Sequence, residues 1–490
     1  MRKWVLVAGA AIVALAGTVG LRTALYAPGA VGTGAGIKVA TPPAFDTQAA
    51  AQHLGQAVQI RTVSNQDPAQ NQLAEWDRLH SWLQTTYPRA HAAMQREVLG
   101  QTLLYTWPGS DPAAQPIIVM AHQDVVPVTP GTEADWRHPP FAGTIADGAV
   151  WGRGAIDDKG SLVALFEGLE ALAGSGFKPR RTIILVAGHD EEAGGTGAVE
   201  VARLLKARGV KAVFAIDEGG LISTDTPMIN GPAAMIGVAE KGYATLRVTA
   251  PATGGHSSAP PEPDQIGSVN LAKALLAITG KPFPLELRGP AEGMVSVLAD
   301  RAGGNNRLAV ANRWLFDPLI KGKMAASPAS AAMLHTTIAP TMLTGSPKEN
   351  VLPQSAEALI NYRIAPWNSS KDVLERARAA TKGLPVKVDF TERAPREPSP
   401  VSSTSSPGWN LIAATALADR PGLPIAPYLV VAGTDSRSMT PVADDVYRFQ
   451  AIGLASGEIK MIHGTNEHMT LANLDSLIRF YARLIATAAG

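Results

Sequence analysis

The chain has 490 residues, and its 43 basic and 42 acidic side chains leave a formal net charge of +1. This length allows two or three domains, and 46% hydrophobic against 17% charged residues excludes a mainly disordered or coiled-coil protein. The balanced charge argues against nucleic acid as a partner, and the absence of cysteine excludes disulfides and thiolate zinc sites. Any metal must therefore be held by His, Asp and Glu, which suit zinc or manganese.

The N-terminus is predicted to be a hydrophobic helix for export. Arg2 and Lys3 precede an apolar run of 18 residues, Trp4 to Leu21, whose helix would be about 27 Å long, close to the hydrocarbon core of about 30 Å. We favour a retained membrane anchor, with a cleaved signal peptide as the alternative because Ala14-Leu15-Ala16 fits a cleavage site. Residues 1–36 would be anchor or signal peptide plus tether, with the body in the periplasm, at the cell surface, or secreted.

The body that follows alternates short apolar runs with helical patterns. Three runs rich in β-branched residues read as buried parallel strands: Pro116–Ala121, Thr182–Ala187 and Ala212–Ile216. Apolar residues at helical spacing lie between them. This alternation predicts an α/β layered catalytic domain with a mostly parallel sheet, formed by residues 37–243 and 392–490.

From about Gly242 the pattern changes, which predicts an inserted α+β domain over residues 244–391. Its predicted strands and helices are Ala244–Ala250, Ser268–Thr279, 335–343, 356–364, 371–382 and Val386–Phe390. Two helices would pack on an antiparallel sheet. Residues 301–330 have no assignment.

Chemically active side chains follow the predicted strands or lie late in the chain. They are His122 and Asp124, Asp157 and Asp158, Glu191 and Glu192, Asp217 and Glu218, and His463. Each group alone also fits an ordinary surface pair, acidic helix cap or solvated turn. In an open α/β sheet, however, ligands bind beyond the carboxyl ends of the strands. Two histidines and at least four carboxylates converging there suit two metal ions bridged by one carboxylate.

The sequence resembles the zinc-dependent metallopeptidase family of carboxypeptidase S, aminoacylase-1, carboxypeptidase G and the peptidase V dipeptidases. The resemblance runs from about residue 45 to the end. It is carried, in family order, by the motifs MAHQDVVPV, DWRHPPFAG, WGRGAIDDKG, GHDEEAGG, IDEGG, GGHSSAPP, GTDSR and IHGTNE. Several of these are closest to the carboxypeptidase S branch, which includes hydrolases of N-fatty-acyl amino acids.

The resemblance implies a metal site with two Zn²⁺ per chain, for which Mn²⁺ or Co²⁺ are possible substitutes. Asp157 would bridge the two ions, Glu191 would be the general base and Asp124 would orient His122. The implied metal ligands are His122, Asp157, Glu192, Asp217 and His463, with Glu218 as the alternative to Asp217.

The inserted domain would be the family's lid and dimerisation domain, forming a homodimer. His256 resembles the lid histidine that stabilises the oxyanion, often in a neighbouring subunit's site. Arg363 and Arg437 are candidates to hold a substrate carboxylate, and Asn350 matches a substrate-contact position. For both arginines an exposed structural role remains open.

These expectations define a hydrolase of amide bonds next to a free amino-acid carboxylate, acting on small peptides. The alternatives are a dipeptidase or an N-acyl (fatty-acyl) amino acid hydrolase. A non-catalytic binding module on a degenerate peptidase fold is a more remote alternative. Such proteins typically lose metal ligands or the general base, whereas every expected position is filled in this sequence.

Overall fold

The structure is a computed structural model that describes residues 2–28 and 31–490. Met1 and residues 29–30 of the predicted N-terminal segment lie outside the described residues. The helices are α1 (Arg2–Ala24), α2 (Thr47–Gln59), α3 (Leu73–Thr86), α4 (Pro88–Ala93), α5 (Lys159–Gly174), α6 (Thr196–Ala207), α7 (Gly267–Thr279), α8 (Pro290–Ala302), α9 (Gly304–Ala311), α10 (Arg313–Ala325), α11 (Pro328–Ala332), α12 (Ser370–Ala380), α13 (Pro407–Ala418) and α14 (Leu471–Ala489).

The strands form one large sheet and three smaller ones. They are β1 (Gln95–Leu99), β2 (Thr102–Trp107), β3 (Ile117–His122), β4 (Thr144–Ala146), β5 (Ala149–Trp151), β6 (Ile183–Gly188), β7 (Ala212–Asp217), β8 (Leu221–Thr226), β9 (Gly231–Glu240), β10 (Gly242–Pro251), β11 (Gly255–His256), β12 (Thr337–Thr344), β13 (Val351–Leu352), β14 (Ser355–Ile364), β15 (Lys387–Phe390), β16 (Ile425–Val430), β17 (Ala443–Arg448), β18 (Gly453–Leu454) and β19 (His468–Thr470).

The large sheet has the order β1-β2-β6-β3-β7-β17-β9-β8-β18, with β16 paired to β9. Its centre, β6-β3-β7-β17, is parallel. Both faces of β3 are covered, because Val119 packs in the core with α2, α5 and α14 while Ile118 packs on the opposite face with α6. Burial on both faces explains the unbroken apolar runs of these strands. The expected α/β layered fold is confirmed.

A second, antiparallel sheet has the order β12-β14-β10-β15. Alternate residues of β10 and β14, such as Leu246 and Ile360, pack with α7 and α12 in a separate core. A capping box of Ser369 and Asp372 begins α12. These elements agree with the strands and helices predicted for an inserted α+β unit. The exact domain bounds remain a prediction.

Residues 301–330, which the sequence left unassigned, lie in helices α8–α11. We call residues 290–332 the helical segment. Its core combines Val295 and Ile320 with Ala239 of β9 and Leu429 of β16, so it packs on the large sheet. Helix α1 lies beside it. Residues 3–24 of α1 are long and apolar enough to cross a membrane, with a mean hydropathy of 2.2, as either a signal sequence or an anchor.

Candidate metal centre

The site lies at the carboxyl edge of the parallel strands β6, β3 and β7. His122 is the last residue of β3, Asp217 is the last residue of β7, and Glu191 and Glu192 follow the end of β6. Because these strands are neighbours and parallel, their carboxyl ends place all four side chains at one edge.

Asp157 lies between two histidines, with one carboxylate oxygen facing each. His122 Nε2 is 2.8 Å from Asp157 Oδ1, and His463 Nε2 is 3.0 Å from Asp157 Oδ2. His463 Nε2 is also 3.0 Å from Glu192 Oε1. Ligand atoms of His122, Asp157 and Glu192 all lie within 4.8 Å of one another. We call His122, Asp157, Glu192 and His463 the metal centre.

Asp124 holds both His122 and the two glutamates in place. His122 Nδ1 is 3.3 Å from Asp124 Oδ1 and 2.9 Å from the Asp124 carbonyl oxygen. With Nδ1 donating, the Nε2 lone pair is free for a cation. The Asp124 carboxylate also accepts hydrogen bonds from the backbone N–H groups of Glu191 (3.2 Å) and Glu192 (3.1 Å). Burial opposes ionisation of Asp124, yet the hydrogen bond from His122 holds its pKa below the usual range.

The two acidic residues at the end of β7 have different surroundings. Asp217 is buried, its Oδ2 accepts a 2.9 Å hydrogen bond from the Ser436 N–H, and burial raises its pKa to about 6. Glu218 lines the cavity beside Asp157 and Glu192. Among the described residues, the Glu218 carboxylate has no hydrogen-bond or ion-pair partner.

The charge distribution fits cations. Burial raises the pKa of Glu191 well above its usual range, and the Asp435 and Glu192 carboxylates raise it further. Hydrogen bonds to Asp157 and Glu192 raise the pKa of His463 to about 10. Carboxylates collected in a poorly solvated pocket repel each other unless a cation compensates them. The donor set of imidazole and carboxylate groups matches zinc.

Glu467 is a buried residue to which the sequence analysis gave no role. Its carboxylate accepts hydrogen bonds from the N–H groups of Gly154, Ile156 and Asp157 at 2.9–3.1 Å, and Arg153 Nη1 lies 2.6 Å away. It therefore holds the loop that carries Asp157. The only signal in the sequence was its position at the end of the IHGTNE motif.

A cavity of about 680 Å³ begins at the metal centre and continues along an apolar wall. Its polar end includes Asp157, Glu191, Glu192, Glu218 and His463. Its apolar wall is formed by Leu221, Met235, Tyr428, Val430, Val431 and Ile462. Ligand sites commonly combine such apolar walls with a few polar groups.

Arginines line a neighbouring pocket of about 460 Å³ that also contains Glu191 and Glu192. The guanidinium groups of Arg363 and Arg393 lie 5.0 and 5.4 Å from the centre of the Tyr243 ring. In the described part of the chain, neither arginine has a carboxylate partner. Arg437, in contrast, lies 3.9 Å from the Glu240 carboxylate and donates a 2.6 Å hydrogen bond to the Glu397 carbonyl oxygen. Arg393 was not predicted, because nothing in its local sequence indicates that it faces Arg363.

His256 and Asn350 lie together, and neither lies in the metal centre. Strand β11 pairs with β13, which is distant from it in the sequence, and we call these two strands the β11–β13 pair. The Ser257 N–H beside β11 donates to the Asn350 carbonyl oxygen at 3.1 Å. His256 is exposed, and its Nδ1 is 2.7 Å from Ser258 Oγ. Within the described residues of this chain, neither side chain contacts a residue of the metal centre.

Comparisons with known proteins identify the family. The profile of the peptidase family M20/M25/M40 matches residues 118–487. The chain belongs to this peptidase family. It is 33% identical to the probable carboxypeptidase S-like 2 of Dictyostelium discoideum, covering 89% of this chain and 84% of that protein. It is 36% identical to the human N-fatty-acyl-amino acid synthase/hydrolase PM20D1, covering 88% and 86%.

The solved structures agree with the M20 fold. The M20 family metallo-carboxypeptidase Sso-CP2 from Sulfolobus solfataricus superposes with a TM-score of 0.65 at 16% identity, over 90% of this chain and 99% of that one. The sequence matches to carboxypeptidase S and a carboxypeptidase S-like protein confirm the expected relationship to carboxypeptidase S. This M20 peptidase is a hydrolase of the metallopeptidase type.

Proposed function

We propose that this M20 peptidase hydrolyses amide bonds next to a free amino-acid carboxylate with two Zn²⁺ ions per chain. The observation that carries the proposal is Asp157, whose two carboxylate oxygens face two different histidines at 2.8 and 3.0 Å. A carboxylate with this geometry suits a bridging position between two cations.

The residues divide into two ligand sets that share Asp157. His122 and a carboxylate at the end of β7 would complete one site, while His463 and Glu192 would complete the other. The sequence favours Asp217 as the β7 ligand, and the exposure of Glu218 to the cavity favours Glu218. Asp217→Asn and Glu218→Gln variants, compared for zinc content, would decide between them. Only the variant that removes the true ligand should contain less zinc than the wild-type protein.

Bound zinc would supply Lewis-acid activation of water and of the substrate carbonyl. Glu191 would accept a proton from the attacking water and return it to the amine leaving group. Asp124 would keep His122 in the required tautomer and fix the backbone that carries Glu191.

The arginine pocket would hold the substrate carboxylate. Arg363 and Arg393 offer guanidinium groups without a carboxylate partner in the described chain, beside Glu191 and Glu192. Guanidinium binds carboxylates through two parallel hydrogen bonds. Arg437 also lines this pocket and would add a third positive charge to it.

The β11–β13 pair would complete the site from a second subunit. His256 is exposed and its side chain bonds only to Ser258 among the described residues, which suits an oxyanion donor supplied across a homodimer through the lid domain. Asn350 would contact the substrate from beside β13.

The apolar cavity favours a second candidate substrate class, N-fatty-acyl amino acids. Its wall of aliphatic and aromatic side chains fits an acyl chain better than a polar peptide. Dipeptides and N-oleoyl amino acids should be assayed side by side, together with a Met235→Gln variant that makes the wall polar. If acyl chains bind there, Met235→Gln lowers kcat/KM for N-oleoyl substrates only, while Leu73→Gln at an exposed position of α3 changes the kcat/KM of neither substrate class.

For localisation, we propose that α1 is retained as an anchor and that the body lies outside the cytoplasm. The helix is apolar from Trp4 to Leu21, and none of its membrane-crossing window is buried in the protein.

A further inference from the structure

The helical segment contains an apolar surface that catalysis does not use. Helix α10 exposes Trp314 (56%), Leu315 (43%) and Leu319 (54%). Its other exposed positions are Pro318, Gly322, Lys323 and Ala325, so the outer face carries a single charge, at Lys323. Its inner face is also apolar, because Ile320 and Met324 are buried in the core of the helical segment. A helix with two apolar faces is unusual on a surface that contacts only water.

The start of α10 is attached to α1 near the end of the candidate membrane span. Asn312 Nδ2 donates to the Val19 carbonyl oxygen at 3.3 Å and to Thr23 Oγ1 at 3.0 Å. Arg22 Nε also donates to the Ala311 carbonyl oxygen at 3.4 Å. With a rise of about 1.5 Å per residue, Val19 lies about 8 Å before the end of α1 at Ala24.

These contacts place the start of α10 beside the end of the apolar span of α1. Because Asn312 is bonded to Val19 and Thr23, Trp314 lies close to the level of the headgroups in a bilayer that contains α1. Tryptophan and leucine favour this boundary, and lysines commonly border the apolar face of a helix that lies in it. Lys323 is exposed in the last turn of α10, and the half-buried Lys321 pairs with Asp317 at 2.9 Å.

We propose that the outer face of α10 inserts into the interfacial layer of the membrane that α1 spans. The protein then contacts the bilayer through two elements, one crossing it and one lying in its surface. This inference rests on the proposed retention of α1 and is independent of the catalytic proposal.

The second contact would also orient the active-site cavity. Tyr428 and Val431 line the apolar wall of that cavity and pack against the core of the helical segment. Insertion of α10 therefore holds this wall near the membrane surface, instead of leaving the body free to rotate on a single helix.

Site-specific labelling can test the proposal directly, because the chain contains no cysteine. A Leu319→Cys variant of the full chain, labelled with an environment-sensitive fluorophore, is reconstituted into vesicles of phosphatidylcholine and phosphatidylglycerol. Leu73→Cys is the matched control, since Leu73 is a leucine of similar exposure (53%) on α3, outside the inserted domain. Val13→Cys in α1 reports whether the anchor itself lies in the bilayer.

The expected result is that lipid-attached nitroxides quench the labels at positions 13 and 319 but not at 73. Aqueous iodide should quench position 319 on the order of threefold less than position 73. Equal iodide quenching at 319 and 73 would overturn the proposal. Protection from iodide without nitroxide quenching would overturn it too, because a second protein copy would then cover α10. If lipid nitroxides quench neither position 13 nor position 319, both the proposed membrane anchor and this proposal are refuted. The proposed catalytic function is not affected by that result.

Discussion

The metal centre and the β11–β13 pair were both singled out by short histidine-containing motifs, but their surroundings in the structure differ. His122, Asp157, Glu192 and His463 meet within hydrogen-bond distance in one chain. His256 in the β11–β13 pair is exposed and bonds within its own turn. The fold of a single chain thus brings the first set of side chains together and leaves His256 apart from them.

The two sets of residues differ in how the chain supports them. In the metal centre His122 ends β3, and the buried Asp124 and Glu467 hold His122 and the loop of Asp157. His256 lies on a short strand and its side chain is exposed. We therefore expect substitutions at the metal centre to act within each chain, and substitutions in the β11–β13 pair to act between chains.

The largest effect is expected for Glu191→Gln, which removes the proposed base without removing a metal ligand. Turnover should fall by about 10²–10⁴-fold because proton transfer is lost, while zinc content stays at the wild-type level. Steady-state kinetics and metal analysis of the same preparation measure both. Near-normal turnover in the fully metallated variant would refute the role of Glu191.

His256→Ala should lower kcat by about 10²–10³-fold, the range for loss of an oxyanion donor, with unchanged zinc content. Mixing it with Glu191→Gln tests whether the lid acts across a dimer. Random mixed dimers contain one intact composite site, so activity should return to about a quarter of the wild-type level. No recovery on mixing would mean that His256 acts in its own chain or not at all.

Glu467→Gln tests the support of the bridging residue. The loop of Asp157 loses a charged acceptor for three N–H groups and Arg153, so zinc affinity should fall by about 10–100-fold. Chelator competition measures this change. Glu458→Gln, at an exposed position nearby in the sequence, is the control and should bind zinc normally. Equal zinc affinity in both variants would show that Glu467 does not contribute to zinc binding through the loop of Asp157.

Arg363→Lys keeps the charge and removes the bidentate geometry. We expect KM for substrates with a free carboxylate to rise about tenfold, with kcat nearly unchanged. Arg376→Lys, whose guanidinium lies over Phe283, is the control. A fall in kcat without a change in KM would place Arg363 in the chemical step instead.

The smallest effect concerns Lys241, which lies between β9 of the large sheet and β10 of the antiparallel sheet. Its Nζ donates to the carbonyl oxygens of Ala332 and His335 at 2.8 Å, and burial lowers its pKa to about 7. Between pH 7 and 10 the unfolded chain therefore holds more protons at this lysine than the folded chain does. Its contribution makes the free energy of unfolding rise with pH, by at most about 1.4 kcal/mol per pH unit. Lys241→Met should remove that part of the slope in denaturation curves, and an unchanged slope would contradict the assignment.

Local patterns predicted most of the fold and the centre of the site. Strands β3, β6 and β7 have continuous apolar runs, and their ends carry His122, Glu191 and Asp217, so topology alone brings these residues together. Helix α10 was missed because both its faces are apolar and Pro318 interrupts it, which obscures helical periodicity. Glu467 and Arg393 were not assigned roles because their partners are distant in the sequence.

The most direct test of the shared carboxylate is the zinc content of the full chain beside His122→Ala and His463→Ala, measured by plasma mass spectrometry. A centre bridged by Asp157 predicts close to two zinc ions per wild-type chain and a loss in each variant, because each histidine serves a different ion. At most one ion in the wild type, or unchanged zinc content in both variants, would contradict the bridged centre.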